Sequence, residues 1–316
     1  MTTQNAAIRT PYRTSSSRSR KRSGGGGSWG RRTGLALVQT GLALAEHAAP
    51  ALGARAVVRM CTTVPRATPG RASAVPGGDR RQVSLPGPTP GSIVTETWGE
   101  GPAVYLLHGF GGHRRSWHRF VGPLTQAGFR AVTLDVPGHG DSYPGVYGPG
   151  RSLLPEAVTA LRAAAGYHGP AHAVVAHSMG ALAAAVACLD GLPAARLVLI
   201  APMPDHGSAL RVFAEAVGAG ERIQACMPRA LEQLMQMPMS HFDAVNRAAE
   251  EDTLPPALVI HDGGDRRVPF GLGARLAAAW PSARLHPTHG LGHNRILHDE
   301  GVIAASVDFL VAGAGC

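Results

Sequence analysis

Ser178 lies in VVAHSMGALAAA (174–185), where a strand-forming run ends at His177 and Gly180 opens an alanine-rich helix. A serine on so sharp a strand-to-helix turn has its Oγ lifted above the sheet, and crowding there demands small residues two positions to either side. Ala176 and Gly180 meet that demand. The pattern alone admits two readings, a nucleophile or a serine N-cap. LLHGFGGH (106–113) favours the nucleophile. Acyl transfer needs backbone N–H donors aimed at a developing oxyanion. The Phe110 N–H, after the His108-Gly109 turn, and the Met179 N–H, after the serine, are the expected pair. The helix that starts at this point adds its positive dipole end.

A hydroxyl nucleophile needs a base, and the base needs an orienting acid. Parallel strands gather their carboxyl ends at one sheet edge, so both partners are expected on loops after later strands. HDGGDRRVP (261–269) offers Asp265 on the turn into a helix, with Asp262 at the strand end as its competitor. THGLGHNRILHDE (288–300) offers His293 in a glycine-rich loop. His289 lies nearer the strand and His298 within the following helix, so both are weaker choices. Ser178, Asp265 and His293 then follow one another in the order nucleophile, acid, base. His177 is read as a packing residue pointing away from the reaction. His139 and Asp141, in DVPGHGDS (135–142), are read as shaping a loop.

The elements that must position these residues alternate along the chain. Strand-like runs cover 92–98, 103–109, 130–136, 171–177, 196–202, 257–262 and 283–289, and helical stretches cover 114–127, 151–166, 178–190, 270–280 and 295–312. Short apolar strands separated by crossover helices imply a mostly parallel sheet covered on both faces. Residues 203–253 interrupt the rhythm with helical segments and no strand, as an inserted lid would. Met203, Met227, Met235, Met237 and Met239 make that insert methionine-rich, which suits an adaptable apolar pocket or simple packing of the insert onto the body.

The 316 residues suffice for one substantial core. The net charge of +9 is uneven: residues 1–82 carry a balance of +12 and the remainder −3. The basicity therefore belongs to an N-terminal segment, which lacks interleaved aromatics and any nucleic-acid motif, so no specific nucleic-acid partner is expected. Residues 1–33 read as a disordered basic tail, 34–60 as an amphipathic helical extension broken at Pro50, and 61–90 as a linker. Three readings of the extension stay open: an export signal following Arg31-Arg32, a membrane-surface helix behind a basic arm, or a helical extension docked on the body. Cys61, Cys188, Cys226 and Cys316 have no metal-like spacing and read as unpaired thiols of a cytoplasmic protein, with peripheral membrane association as the variant. Neither metal nor cofactor is called for.

HGFGG, DxxGxGxS, AHSMG, DxxVP and GxGH in this order resemble the α/β-hydrolase family, in the group with an HG-type oxyanion loop, over about residues 91–312. The resemblance implies an eight-stranded sheet, a helical lid after the sixth strand and ester-like hydrolysis, with a first strand near 81–86. A serine nucleophile resembles esterases, lipases, thioesterases and carbon–carbon bond hydrolases. Ala176 and Asp262 depart from the family's usual glycines. The expected activity is hydrolysis of a carboxylic ester or related acyl substrate. An acyltransferase, a thioesterase or a cofactor-free haloperoxidase on the same residues is the alternative, and a non-catalytic binding protein on the same scaffold is the second.

Overall fold

The computed structural model describes residues 26–65, 75–87 and 91–312, with side chains from residue 34. Two helices come first, α1 (Gly26–Ala48) and α2 (Pro50–Cys61), then strands β1 (Asp79–Ser84), β2 (Ser92–Trp98) and β3 (Ala103–Leu107). Helix α3 (His118–Gln126), β4 (Arg130–Asp135), α4 (Leu154–His168), β5 (Ala171–His177), α5 (Met179–Leu189) and β6 (Ala194–Ile200) follow. Helices α6 (His206–Val217), α7 (Glu221–Met235) and α8 (Ala244–Ala249) separate β6 from β7 (Ala257–Asp262). The chain ends with α9 (Phe270–Ala279), β8 (Ala283–Thr288), the single turn α10 (Gly292–Arg295) and α11 (Glu300–Val311).

The strands form one eight-stranded sheet in the order β1-β2-β4-β3-β5-β6-β7-β8. From β4 to β8 every pairing is parallel, while β1 and β2 join antiparallel at one edge. The central strands β3 and β7 are buried along their whole length, as strands sandwiched between two helical layers must be. One apolar layer holds Trp117, Phe120 and Leu124 with Ile296 and Leu310. The other holds the α4 and α5 alanines and leucines with Met227, Leu231 and Phe242 of the α6–α8 insert.

Three expected boundaries shift. Helix α1 begins at Gly26, inside the stretch read as a tail; residues 1–25 of that tail lie outside the described residues. The stretch 61–90, read as a linker with a first strand near 81–86, contains β1 two residues earlier, its side chains all exposed except Val83. So polar an edge strand carries almost no hydrophobic alternation to read. His293 stands in the turn α10 rather than in a loop.

The helical extension is welded to the body. Leu42, Ala54, Val57 and Val58 are buried. Glu46 accepts hydrogen bonds from the N–H groups of Arg222 (2.8 Å) and Ile223 (3.1 Å), capping the first turn of α7. Gly53 faces Ile223 so closely that a Cβ there would lie 2.6 Å from Cδ1. Past α2, Ser152 N–H donates to Thr62 C=O and Val64 N–H to Gly150 C=O, tying the extension to the loop after β4. Among the described residues no helix is long and apolar enough to cross a membrane.

Candidate active site

Every group named from the sequence as chemistry-bearing sits at the carboxyl edge of β3, β5, β7 or β8. Ser178 follows β5 with φ 56° and ψ −120°, a backbone conformation rarely adopted outside glycine. Its surroundings enforce that turn. A Cβ on Gly109 would lie 2.9 Å from Ser178 Cβ, and one on Gly180 would lie 2.7 Å from Leu107 C=O. The loop after β3 and the turn after β5 therefore approach as closely as backbone allows.

His293 Nε2 lies 3.0 Å from Ser178 Oγ, and His293 Nδ1 lies 2.7 Å from Asp265 Oδ2. An ionised carboxylate can only accept, so the Nδ1 proton points to Asp265 and Nε2 is left to accept from the serine. Burial alone pushes Asp265 upward, but hydrogen bonds from His261, His293 and the Val268 N–H outweigh it and hold the carboxyl far below the usual carboxylate range. The Arg267 N–H adds a further donor at 2.8 Å.

Asp262, the competing acid, makes no contact of this kind. It is buried and accepts from Thr288 Oγ1, Leu291 N–H and Gly264 N–H, so it anchors the loop that carries His293. His289 and His298 are both exposed. Met179 is the first residue of α5, where an N–H has no intrahelical acceptor. The Phe110 N–H has no acceptor among the described residues. Both residues border cavities at Ser178.

Sequence reasoning missed a set of neutral histidines around this centre. His177 does more than pack: its Nε2 lies 2.8 Å from the His293 carbonyl, and the two rings stand 4.7 Å apart. Burial, helped by His293, pushes His177 down to about 3, so it donates as a neutral ring and places no positive charge beside His293. His108 Nε2 accepts from Val136 N–H, and its Nδ1 donates to Gly109 C=O at 2.8 Å. His139 Nε2 accepts from Gly111 N–H at 3.0 Å and is held down to about 3 by burial and by His108. These two rings brace the Gly109–Gly112 loop from beneath. The strand-end position of His108 and the loop-shaping reading of His139 were the hints to this.

Asp135, Ser142 and Asp141 serve the loop geometry expected of them. Buried Arg114 pairs with Asp135, with Glu96 at 3.0 Å and with Asp141 at 2.9 Å, and Ser142 Oγ accepts from Val94 N–H.

Ser178 stands where two cavities meet. One is an open cleft of about 460 Å³ reaching from Gly109–Gly112 past His118 to Arg267 and His293. The other, about 180 Å³, is apolar and lies beneath the insert, walled by Phe110, Leu153, Leu182, Met203, Leu210 and Phe213. Of the five methionines singled out, Met203 alone lines that cavity; Met227 and Met235 are buried in the packing of α7. The walls extend beyond the insert to Cys61 and Thr62 at the end of α2. Cys61, Cys188 and Cys226 are free thiols, and Cys316 lies outside the described residues. Among the described residues no three His, Cys, Asp or Glu side chains cluster as metal ligands would.

The family profile described as alpha/beta hydrolase fold matches residues 102–221, the stretch running from β3 through the Ser178 turn into the insert. The chain has an α/β-hydrolase fold. A 2-hydroxy-6-oxo-6-phenylhexa-2,4-dienoate hydrolase of Burkholderia cepacia is 28% identical over 263 residues, 68% of this chain and 90% of that protein. An esterase from Thermogutta terrifontis superposes with a TM-score of 0.56 at 20% identity, covering 73% of this α/β-hydrolase-fold chain and all but 2% of the other, 98% being matched. A membrane phospholipase A superposes with a TM-score of 0.57 at 18% identity over 91% of this chain and 100% of that one. At such identities the two superpositions speak for the fold alone.

Proposed function

We propose that this protein is a serine hydrolase that cleaves a carboxylic ester or related acyl substrate through an acyl-enzyme. The observation that carries the proposal is the unbroken relay from Asp265 through His293 to Ser178 Oγ beside an apolar cavity. In this reading Ser178 Oγ attacks the acyl carbonyl carbon while its proton passes to His293 Nε2, and Asp265 stabilises the resulting imidazolium. The Phe110 and Met179 N–H groups receive the oxyanion. Collapse breaks the bond to the leaving group, which takes the proton from His293. Water, deprotonated by His293, then attacks the acyl-enzyme and releases the carboxylic acid. The α6–α8 insert acts as the lid, and the apolar cavity beneath it takes the acyl chain. The hydrolases among the relatives support the reaction class.

A series of linear p-nitrophenyl esters tests this reading. The expected result is a kcat/KM that rises from acetyl to longer acyl chains. A preference for short polar esters would contradict the acyl pocket, and no turnover of any ester would contradict the reaction. The Burkholderia cepacia relative, matched over 90% of its length, favours one second reading, hydrolysis of a carbon–carbon bond. Turnover of 2-hydroxy-6-oxo-6-phenylhexa-2,4-dienoate well above that of every ester would select it.

Peripheral contact with an anionic membrane surface also remains a proposal. Leu37, Leu44 and Leu52 are 62–70% exposed on the extension, beside exposed Arg55 and Arg59, which supports it.

A further inference from the structure

The open cleft at Ser178 has a chemistry of its own, distinct from the apolar cavity beneath the insert. The loop after β3 and the loop after β7 both line it, and each presents an exposed arginine, Arg115 and Arg267. Neither guanidinium forms an ion pair among the described residues, whereas Arg114, next in sequence to Arg115, is buried in three. His118 and Asn294 add further hydrogen-bonding groups, and no residue lining the cleft is acidic. The carboxylates felt at His113 on this edge, Asp135 and Asp141, are both engaged by Arg114, and Asp141 also by Arg80.

The Arg267 position is fixed by the catalytic frame, because its N–H donates to Asp265 Oδ1. Arg115 is fixed through the short helical turn Arg114–Trp117, whose Arg114 N–H donates to buried Asp135. Two exposed guanidinium groups, unpaired among the described residues and carried by anchored backbone at one cleft, suit a phosphate, whose oxygens accept paired N–H donors. With the acyl chain in the apolar cavity, the cleft is left for the leaving group.

We propose that the substrate's leaving group is anionic, a phosphate-bearing alcohol or thiol held between Arg115 and Arg267. This rests on the acyl-hydrolase reading and names the substrate class for the same site. Attack by Ser178 would break the acyl–oxygen or acyl–sulfur bond, the leaving group would take the His293 proton, and water would regenerate the serine with release of a carboxylic acid.

The test compares one acyl chain on two thiols: hexanoyl-coenzyme A, which carries phosphates, and the neutral hexanoyl-N-acetylcysteamine. The expected kcat/KM is at least tenfold higher for the phosphorylated thioester. Arg115→Gln should erase most of that advantage through KM, leaving turnover of the neutral thioester unchanged, and Arg267→Gln should reduce the charged-to-neutral ratio likewise. Raising salt to 0.5 M, where the screening length falls to about 4 Å, should do the same. Hexanoyl-lysophosphatidic acid separates a lipid phosphate from a nucleotide one, since either preference supports the shared chemistry. Equal turnover of charged and neutral thioesters, or an advantage untouched by both arginine substitutions, would overturn the proposal and leave the hydrolase reading standing. Failure to cleave either thioester or any ester would fell both.

Discussion

At Ser178 the chain accepts a strained φ of 56°, and the hydroxyl placed there faces His293 Nε2 at 3.0 Å. Burial holds His177, His108 and His139 below the usual histidine range, so under the proposed mechanism the positive charge formed would belong to His293 alone. Asp265→Asn makes a sharp test. Its amide oxygen can keep the Arg267 and Val268 N–H bonds, but its NH₂ would face His293 Nδ1 and drive the imidazole into the wrong tautomer. The expected outcome is a kcat lower by about 10²–10⁴-fold with the melting temperature little changed; steady-state kinetics and a thermal melt check both. Ser178, Asp265 and His293 were legible because each sits in a local pattern with its own small neighbours. His177 was not, because its partner His293 lies 116 residues away on another loop and no spacing announces it.

At the scale of elements, strand and helix alternation from residue 92 onward was written in the apolar pattern, and so was the strandless interval that became α6–α8. The pairing of the N-terminal helices with that insert was not. A glutamate in an alanine-rich helix says nothing of the helix terminus it will cap. Glu46→Ala removes the acceptor for the Arg222 and Ile223 N–H groups. The loss of a cap costs about 1 kcal/mol, or about 2–4 °C of melting temperature. Because α2 ends at the cavity wall and α7 contributes Leu231 to it, KM for long-chain esters should rise more than KM for acetyl esters. An unchanged melt and chain-length profile would show that the extension is merely attached.

At the scale of the whole molecule, the buried histidines make stability depend on pH. His139 and His177 are held down to about 3 in the fold and His206 to about 4, whereas an unfolded histidine titrates near 6.5. Their folded values are depressed, so the unfolded chain binds more protons on acidification. Stability is full above pH 6.5 and falls as pH drops toward 3, by up to about 1.4 kcal/mol per unit for each fully buried ring. Asp265, depressed for the opposite charge type, adds its own loss below the unfolded carboxylate range near 4. The melting temperature should thus be nearly level from pH 8 to 7 and decline from 6.5 to 5. A melt independent of pH across that interval would contradict the neutral assignment of these rings. Composition could not have foretold this, since histidine content gives no burial.

The central claim is that Ser178 is an activated nucleophile, and covalent labelling measures it most directly. A fluorophosphonate probe should add once to the full-length protein by intact mass, with the modified peptide containing Ser178. Ser178→Ala should remain unlabelled, and His293→Ala should label far more slowly. Absence of labelling in the folded wild-type protein, or equal labelling of Ser178→Ala, would contradict the account.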